Sequence, residues 1–178
     1  MESAPELQAA CRELLPGYAG ARREHERWAV LTRACLSRSP VERSGEPAAP
    51  VAERFDEIAL SLILDPEADP GSLLVTEVGQ ASDVLCALWL ARRSGLFLPG
   101  RTRGLVGARS RLGLVTSFRA ASVGHAAYTL ATLYANAAYK RHLAARGNAQ
   151  RVLLDAGQAA IHERLARQAR SWGVELSA

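Results

Sequence analysis

Between Val84 and Leu154 the chain contains no aspartate and no glutamate. The protein carries 18 acidic residues in 178, so the gap excludes carboxylate-pair chemistry from the middle of the sequence and concentrates all of it at the two ends. Eleven basic residues stand in the acid-free stretch: Arg92, Arg93, Arg101, Arg103, Arg109, Arg111, Arg119, Lys140, Arg141, Arg146 and Arg151. Residues 1–83 hold fifteen acids against eight bases, and residues 155–178 balance three against three. A formal charge of +4 therefore conceals an acidic, a basic and a neutral part.

Other absences narrow the classes further. Lys140 is the one lysine among 22 basic residues, a bias that by itself does not indicate bidentate phosphate recognition. Three cysteines, Cys11, Cys35 and Cys86, lie far apart in apolar surroundings, which excludes a disulfide framework and predicts reduced, buried thiols. The opening MESAPELQAACRELL lacks a basic region followed by an apolar run, so a cytoplasmic protein is expected. His25, His125, His142 and His162 form no HxxxH and do not pair with cysteine at ligand spacing, so no metal site is expected. The glycines at 100, 104 and 107 follow neither nucleotide-binding pattern, and GxSxG is absent, so no cofactor is expected.

What is present reads as helix almost throughout. Ser3-Ala-Pro-Glu6 has capping-box spacing, with Leu7, Cys11 and Leu14 on one face and Pro16-Gly17 as the stop. A second helix over about 19–36 buries Trp28, Leu31 and Cys35. Val51, Phe55, Ile58 and Leu62 fit one face of a helix that ends at Asp65-Pro66. Leu74, Val78, Ala81, Leu85 and Leu88 continue the pattern from Asp69-Pro70 to Gly95, and two long helices over about 124–146 and 149–172 close the chain. The expected fold is all-α, a bundle of six or seven helices. Its expected divisions are an N-terminal helical hairpin over 1–36, a Pro/Ser/Gly-rich linker over 37–50, and a main helical domain over 51–176.

Two segments test this reading. Ala120 to Tyr139 runs twenty residues without Asp, Glu, Lys or Arg, but its Ala, Ser, Thr, Asn and Tyr content predicts a buried helix and no membrane span. EVGQASDVLCALWLARRSGLFL and DAGQAAIHERLARQARSWGVEL lie 78 residues apart with seven identities in 22. About two would arise by chance at any one offset in so biased a composition, and many offsets exist, so no duplication is inferred.

The basic stretch calls for a negative partner. Nucleic acid and an acidic protein surface both satisfy it, as does neutralisation by the chain's own acidic half. Within the stretch, LARRSGLFLPGRTRGLVGARSRLGLV, Leu90 to Val115, resembles a helix-turn-helix, and loosely the recognition region of winged-helix regulators of the multiple-antibiotic-resistance type. RVLLDAGQAAIHERL is similar to the segment that follows the wing in those regulators. The resemblance implies a reading helix from about Arg101, with Arg101, Thr102, Arg103 and Arg109 against DNA; Arg111 joins them as a phosphate contact. The other reading of the segment is a Gly/Arg connection between two core helices.

FRAASVGHAAY, Phe118 to Tyr128, places Arg119 six residues before His125. That spacing resembles the HEPN ribonucleases, all-helical proteins that act as homodimers. The resemblance implies His125 as general acid or base and Arg119 as stabiliser of the phosphate charge. The residues by themselves also fit a packed histidine, following Val115, Phe118 and Ser122 at helical spacing. The sequence thus predicts a non-catalytic helical regulatory module that binds a polyanion, DNA first, with an adaptor docking on acidic protein second and a ribonuclease third.

Overall fold

A computed structural model describes residues 1–37, 49–100, 107–118, 123–154 and 159–177. Its centre is a parallel sheet of five strands: β1 (Glu2–Ser3), β2 (Ser72–Thr76), β5 (Gly113–Phe118), β6 (Ala149–Leu154) and β7 (Glu175–Ser177), in that spatial order. Around it run α1 (Ala4–Leu14), α2 (Glu24–Leu36), α3 (Pro50–Leu64), α4 (Ala81–Arg93), α5 (Val123–Ala135), α6 (Ala137–Ala145) and α7 (Ala159–Arg170). A short antiparallel pair, β3 (Phe97–Leu98) with β4 (Arg109–Ser110), projects between α4 and β5.

The fold is therefore α/β, and the all-α bundle expected from periodicity is wrong. The Leu74, Val78, Ala81, Leu85 stripe joined the strand SLLVT to the start of α4, because four residues of strand and turn happened to fit helical spacing. The helix expected over 149–172 begins as strand β6, whose short apolar run VLL is indistinguishable by period from buried helix. The helix expected over 124–146 is two helices, because Asn136 leaves the helix and caps α6 with its side chain, accepting from Ala138 N at 2.9 Å and Tyr139 N at 3.1 Å. The capping box at Ser3 and the helix ending at Asp65 are present.

Strand order follows chain order at each step. With right-handed crossovers, always moving to the next neighbour places each connection on the same face of the sheet. Accordingly α4 packs on α1, α2, α3 and α5, and α5 packs on α6 and α7. The covered face of the sheet buries Glu2, Leu73, Val75, Leu114, Thr116, Phe118, Gln150, Val152 and Leu176. On the other face Ser72, Ala149, Arg151, Glu175 and Ser177 are exposed, and Leu74, Thr76, Ser117 and Leu153 half-buried. Val115 and Gly113 at the centre of this face are buried. Parallel sheets are usually covered on both faces, so the exposed polar residues along the margins of this one are a departure. They also explain the alternating burial along β2, β6 and β7.

Helix α4 is buried along its whole length. Val84, Leu85, Cys86, Leu88, Trp89 and Leu90 fill the core, each large apolar side chain contributing about 1.5–3 kcal/mol of burial. Polar side chains at both of its ends have partners. Asp83 accepts from Gly79 N and Gln80 N at 2.9 and 2.8 Å, and Ser82 binds the Glu24 carboxylate through N and Oγ. At the other end Arg93 forms an ion pair with Asp56 at 2.8 Å, and Arg92 donates to Ser37 O. The segment 1–36 supplies an edge strand and two helices to this same core. Cys11, Cys35 and Cys86 are free thiols within it, all buried.

Among the described residues no helix is long and apolar enough to cross a membrane. Nor is any group of three His, Cys, Asp or Glu side chains placed to hold a metal ion.

Candidate functional site

The basic stretch separates into inward and outward arginines. Arg92 and Arg93 belong to the core, where the acidic half of the chain supplies Asp56 as partner. Arg109, Arg146 and Arg151 are exposed, and Arg111 is half-buried with its guanidinium on Pro66 O at 2.5 Å. Arg101, Thr102 and Arg103 lie outside the described residues, in the connection between β3 and β4.

The helix expected to start near Arg101 is not the element that carries Arg109. That residue sits in β4, paired with Leu98 of β3, so the two described ends of the segment pair as antiparallel strands, and the expected start of the reading helix at Arg101 lies outside the described residues. Leu96-Phe97-Leu98 explains the difference: Gly95 ends α4, and the apolar residues after it pair as strand. The hairpin is braced by α6. Ser110 Oγ lies 2.8 Å from His142 Nδ1, and Arg141 donates to Pro99 O at 2.9 Å.

The amino end of the sheet, beside this hairpin, holds a cavity of about 160 Å³. Its floor is formed by Ser72, Gly113, Val115, Arg151 and Ser177 on the less covered sheet face, and its wall is the end of α6, His142 and Arg146. Among the described residues no carboxylate lines it. His142 is 2% exposed, and burial, with the Arg146 guanidinium adding to it, pushes the imidazole down to about 3. Gln150, also 2% exposed, is held by Tyr139 Oη and donates to Leu114 O at 3.0 Å. Among the described residues the Arg146 side chain has no hydrogen-bond or ion-pair partner.

Sequence reasoning placed Arg146 and Arg151 in the basic stretch but not in a site, and it considered His142 only as a metal ligand. A signal existed in Arg146-Gly-Asn-Ala149: a helix stop followed by an apolar run reads as helix end then strand, which sets Arg146 and Arg151 at one edge. The other pair fares differently. His125, read as a packed side chain, is exposed near the start of α5, and Arg119 lies outside the described residues. The all-helical scaffold that the ribonuclease resemblance implies is replaced by the parallel sheet.

A second cavity, about 350 Å³, lies between α2 and α5, lined by Glu24, His25, Trp28, Tyr128 and Thr132. It has no cluster of like charge. No protein-family model matches the chain, and no curated protein matches it.

Proposed function

We propose that this α/β domain is a non-catalytic binding module for a polyanion, with nucleic acid, duplex DNA first, as the partner. Arg101, Thr102, Arg103, Arg109 and Arg111, carried by the β3–β4 hairpin and its connection, make the contacts. Arg146 and Arg151 extend the surface along the amino end of the sheet.

The observation that carries this reading is the sorting of the basic stretch. Its first two arginines turn into the core, while Arg109, Arg146 and Arg151 stay exposed where the segment supplies no acid. A positive surface of this kind gains affinity by releasing counterions from a phosphate backbone. The short β3–β4 pair carries Arg109, and a two-stranded ribbon is an element that enters nucleic-acid grooves.

A second reading, docking on an acidic protein surface, has its own support. Leu60, Ile63 and Leu64 of α3 are exposed, at 56%, 73% and 78%, close in sequence to Pro66, which receives Arg111. An apolar patch beside cations suits a protein partner. Fluorescence anisotropy with duplex DNA, single-stranded RNA and an acidic protein separates the two. Salt-sensitive binding of nucleic acid supports the first reading, and binding of the acidic protein alone supports the second.

A further inference from the structure

The cavity at the amino end of the sheet has a composition that open surface does not explain. Two guanidinium groups, Arg146 and Arg151, and two hydroxyl side chains, Ser72 and Ser177, line a space to which the described residues contribute no carboxylate. Its volume of about 160 Å³ is well below the roughly 300–1,000 Å³ of pockets that hold drug-sized ligands, so it admits one compact group and no nucleoside.

Gly113 is part of the construction. A Cβ at this position would overlap Ser72 Oγ and come within 3.4 Å of Arg146 Nη2. The missing side chain therefore lets a hydroxyl and a guanidinium converge over bare backbone. His142 and Gln150, both almost fully buried, close the cavity and are fixed by Ser110 and by Tyr139. The end of α6 would ordinarily present carbonyl oxygens that repel an anion. Here Gly147 N and Asn148 N bond to Ala144 O and Leu143 O, at 3.4 and 2.8 Å, which occupies two of them.

We propose that this cavity binds a terminal phosphate, a phosphate monoester, with Arg146 as the principal ligand and Arg151, Ser72 and Ser177 completing the set. Guanidinium groups match phosphate oxygens in bidentate geometry, and hydroxyls satisfy the remaining lone pairs. A diester within a strand continues through two ester oxygens and does not seat in a cavity of this size, whereas a chain end does. The inference rests on the polyanion reading for its biological ligand, since the end of a nucleic-acid strand is one source of such a group and a free phosphorylated metabolite is another.

The test uses the full chain and three probes: inorganic phosphate, a single-stranded oligonucleotide with a 5′-phosphate, and the same oligonucleotide without it. Titration with inorganic phosphate is followed by NMR of the His142 ring and the Gly113 amide. The expected result is a saturable shift of both, a His142 that titrates at higher pH once an anion offsets the Arg146 charge, and tighter binding of the phosphorylated oligonucleotide. Arg146→Gln should weaken phosphate binding by about tenfold to a hundredfold, the range for one charge-assisted contact. Ser72→Ala, a milder change, should weaken it severalfold and guards against misfolding of the first variant. Phosphate that leaves both signals unmoved overturns the proposal, as does equal binding to wild type and both variants. Equal affinity for the two oligonucleotides removes strand ends as the ligand while leaving the polyanion reading standing. Phosphate binding without affinity for either oligonucleotide does the reverse and assigns the cavity to a small phosphorylated molecule.

Discussion

The Ser110 hydroxyl lies 2.8 Å from Nδ1 of His142, and that contact joins the β3–β4 hairpin to α6. The imidazole is packed edge-on against Phe97, ring centroids 6.1 Å apart, and tilted against Tyr139 at 5.5 Å. Buried among aromatic rings and next to the Arg146 charge, it resists protonation, and the hairpin's attachment inherits that resistance as a dependence on pH.

His142 titrates near 6.5 in an unfolded chain but only near 3 in the folded one. The unfolded state therefore binds the extra proton as the pH falls below about 6.5, and the stabilisation, complete above that value, is lost toward 3. The loss proceeds at about 1.4 kcal/mol per pH unit where it is steepest. Urea unfolding between about pH 7 and pH 4 should show a steeper decline in wild type than in His142→Asn, which removes the titrating group. Parallel curves would contradict this.

Arginines of one acid-free segment should differ sharply in what they do for stability. Arg93 is 5% exposed and paired with Asp56, so Arg93→Gln leaves a carboxylate without its cation and should cost about 3 kcal/mol by chemical denaturation. Arg109, exposed in β4, should change stability by less than about 0.5 kcal/mol when replaced with glutamine.

Asn136 interrupts what would otherwise be one long helix. Its Oδ1 caps α6 and its Nδ2 donates to Thr32 Oγ1 at 2.6 Å, tying α6 to α2. Asn136→Ala should cost about 1–2 kcal/mol in thermal or urea unfolding, the range for removal of an N-cap. A stabilising effect would mean that a continuous helix is preferred.

The 78-residue near-repeat has a structural counterpart. Gly95 N bonds to Arg92 O and Leu96 N to Ala91 O after α4, and Gly173 N bonds to Arg170 O and Val174 N to Ala169 O after α7, position for position. Both glycines have positive φ, 82° and 71°, with open space where a Cβ would stand. Alanine at either should therefore cost about 1 kcal/mol from backbone conformation alone, measured by the shift in denaturation midpoint. A much larger loss at one site would show that the two units are not equivalent.

That correspondence marks how far the sequence could be read. The seven identities were too few to infer a duplication, and a strand, a turn and a helix in succession mimic one long helix when the strand is only SLLVT or VLL. Caps were legible because they are local: Ser3 with Glu6, and Asp65 before Pro66, act over three or four residues. The sheet was not, because pairing of Leu73 with Leu114 or Thr116 with Val152 joins residues some forty positions apart. The basic stretch was legible as charge. Which arginines turn inward depended on Asp56 and on the burial of α4, which no local pattern carries.

The most direct measurement is the salt dependence of duplex DNA binding. If hairpin arginines touch phosphates, the logarithm of the binding constant falls linearly with the logarithm of salt concentration, by about 0.9 per phosphate neutralised. Replacing Arg101 and Arg103 together, or Arg109 alone, with glutamine should weaken binding and reduce that slope by about one for each arginine that had neutralised a phosphate, whereas Arg22→Gln with Arg23→Gln should change little. Absence of binding at about 50 mM salt, or equal weakening by the hairpin and the 22/23 substitutions, would contradict a defined polyanion-binding surface on the hairpin.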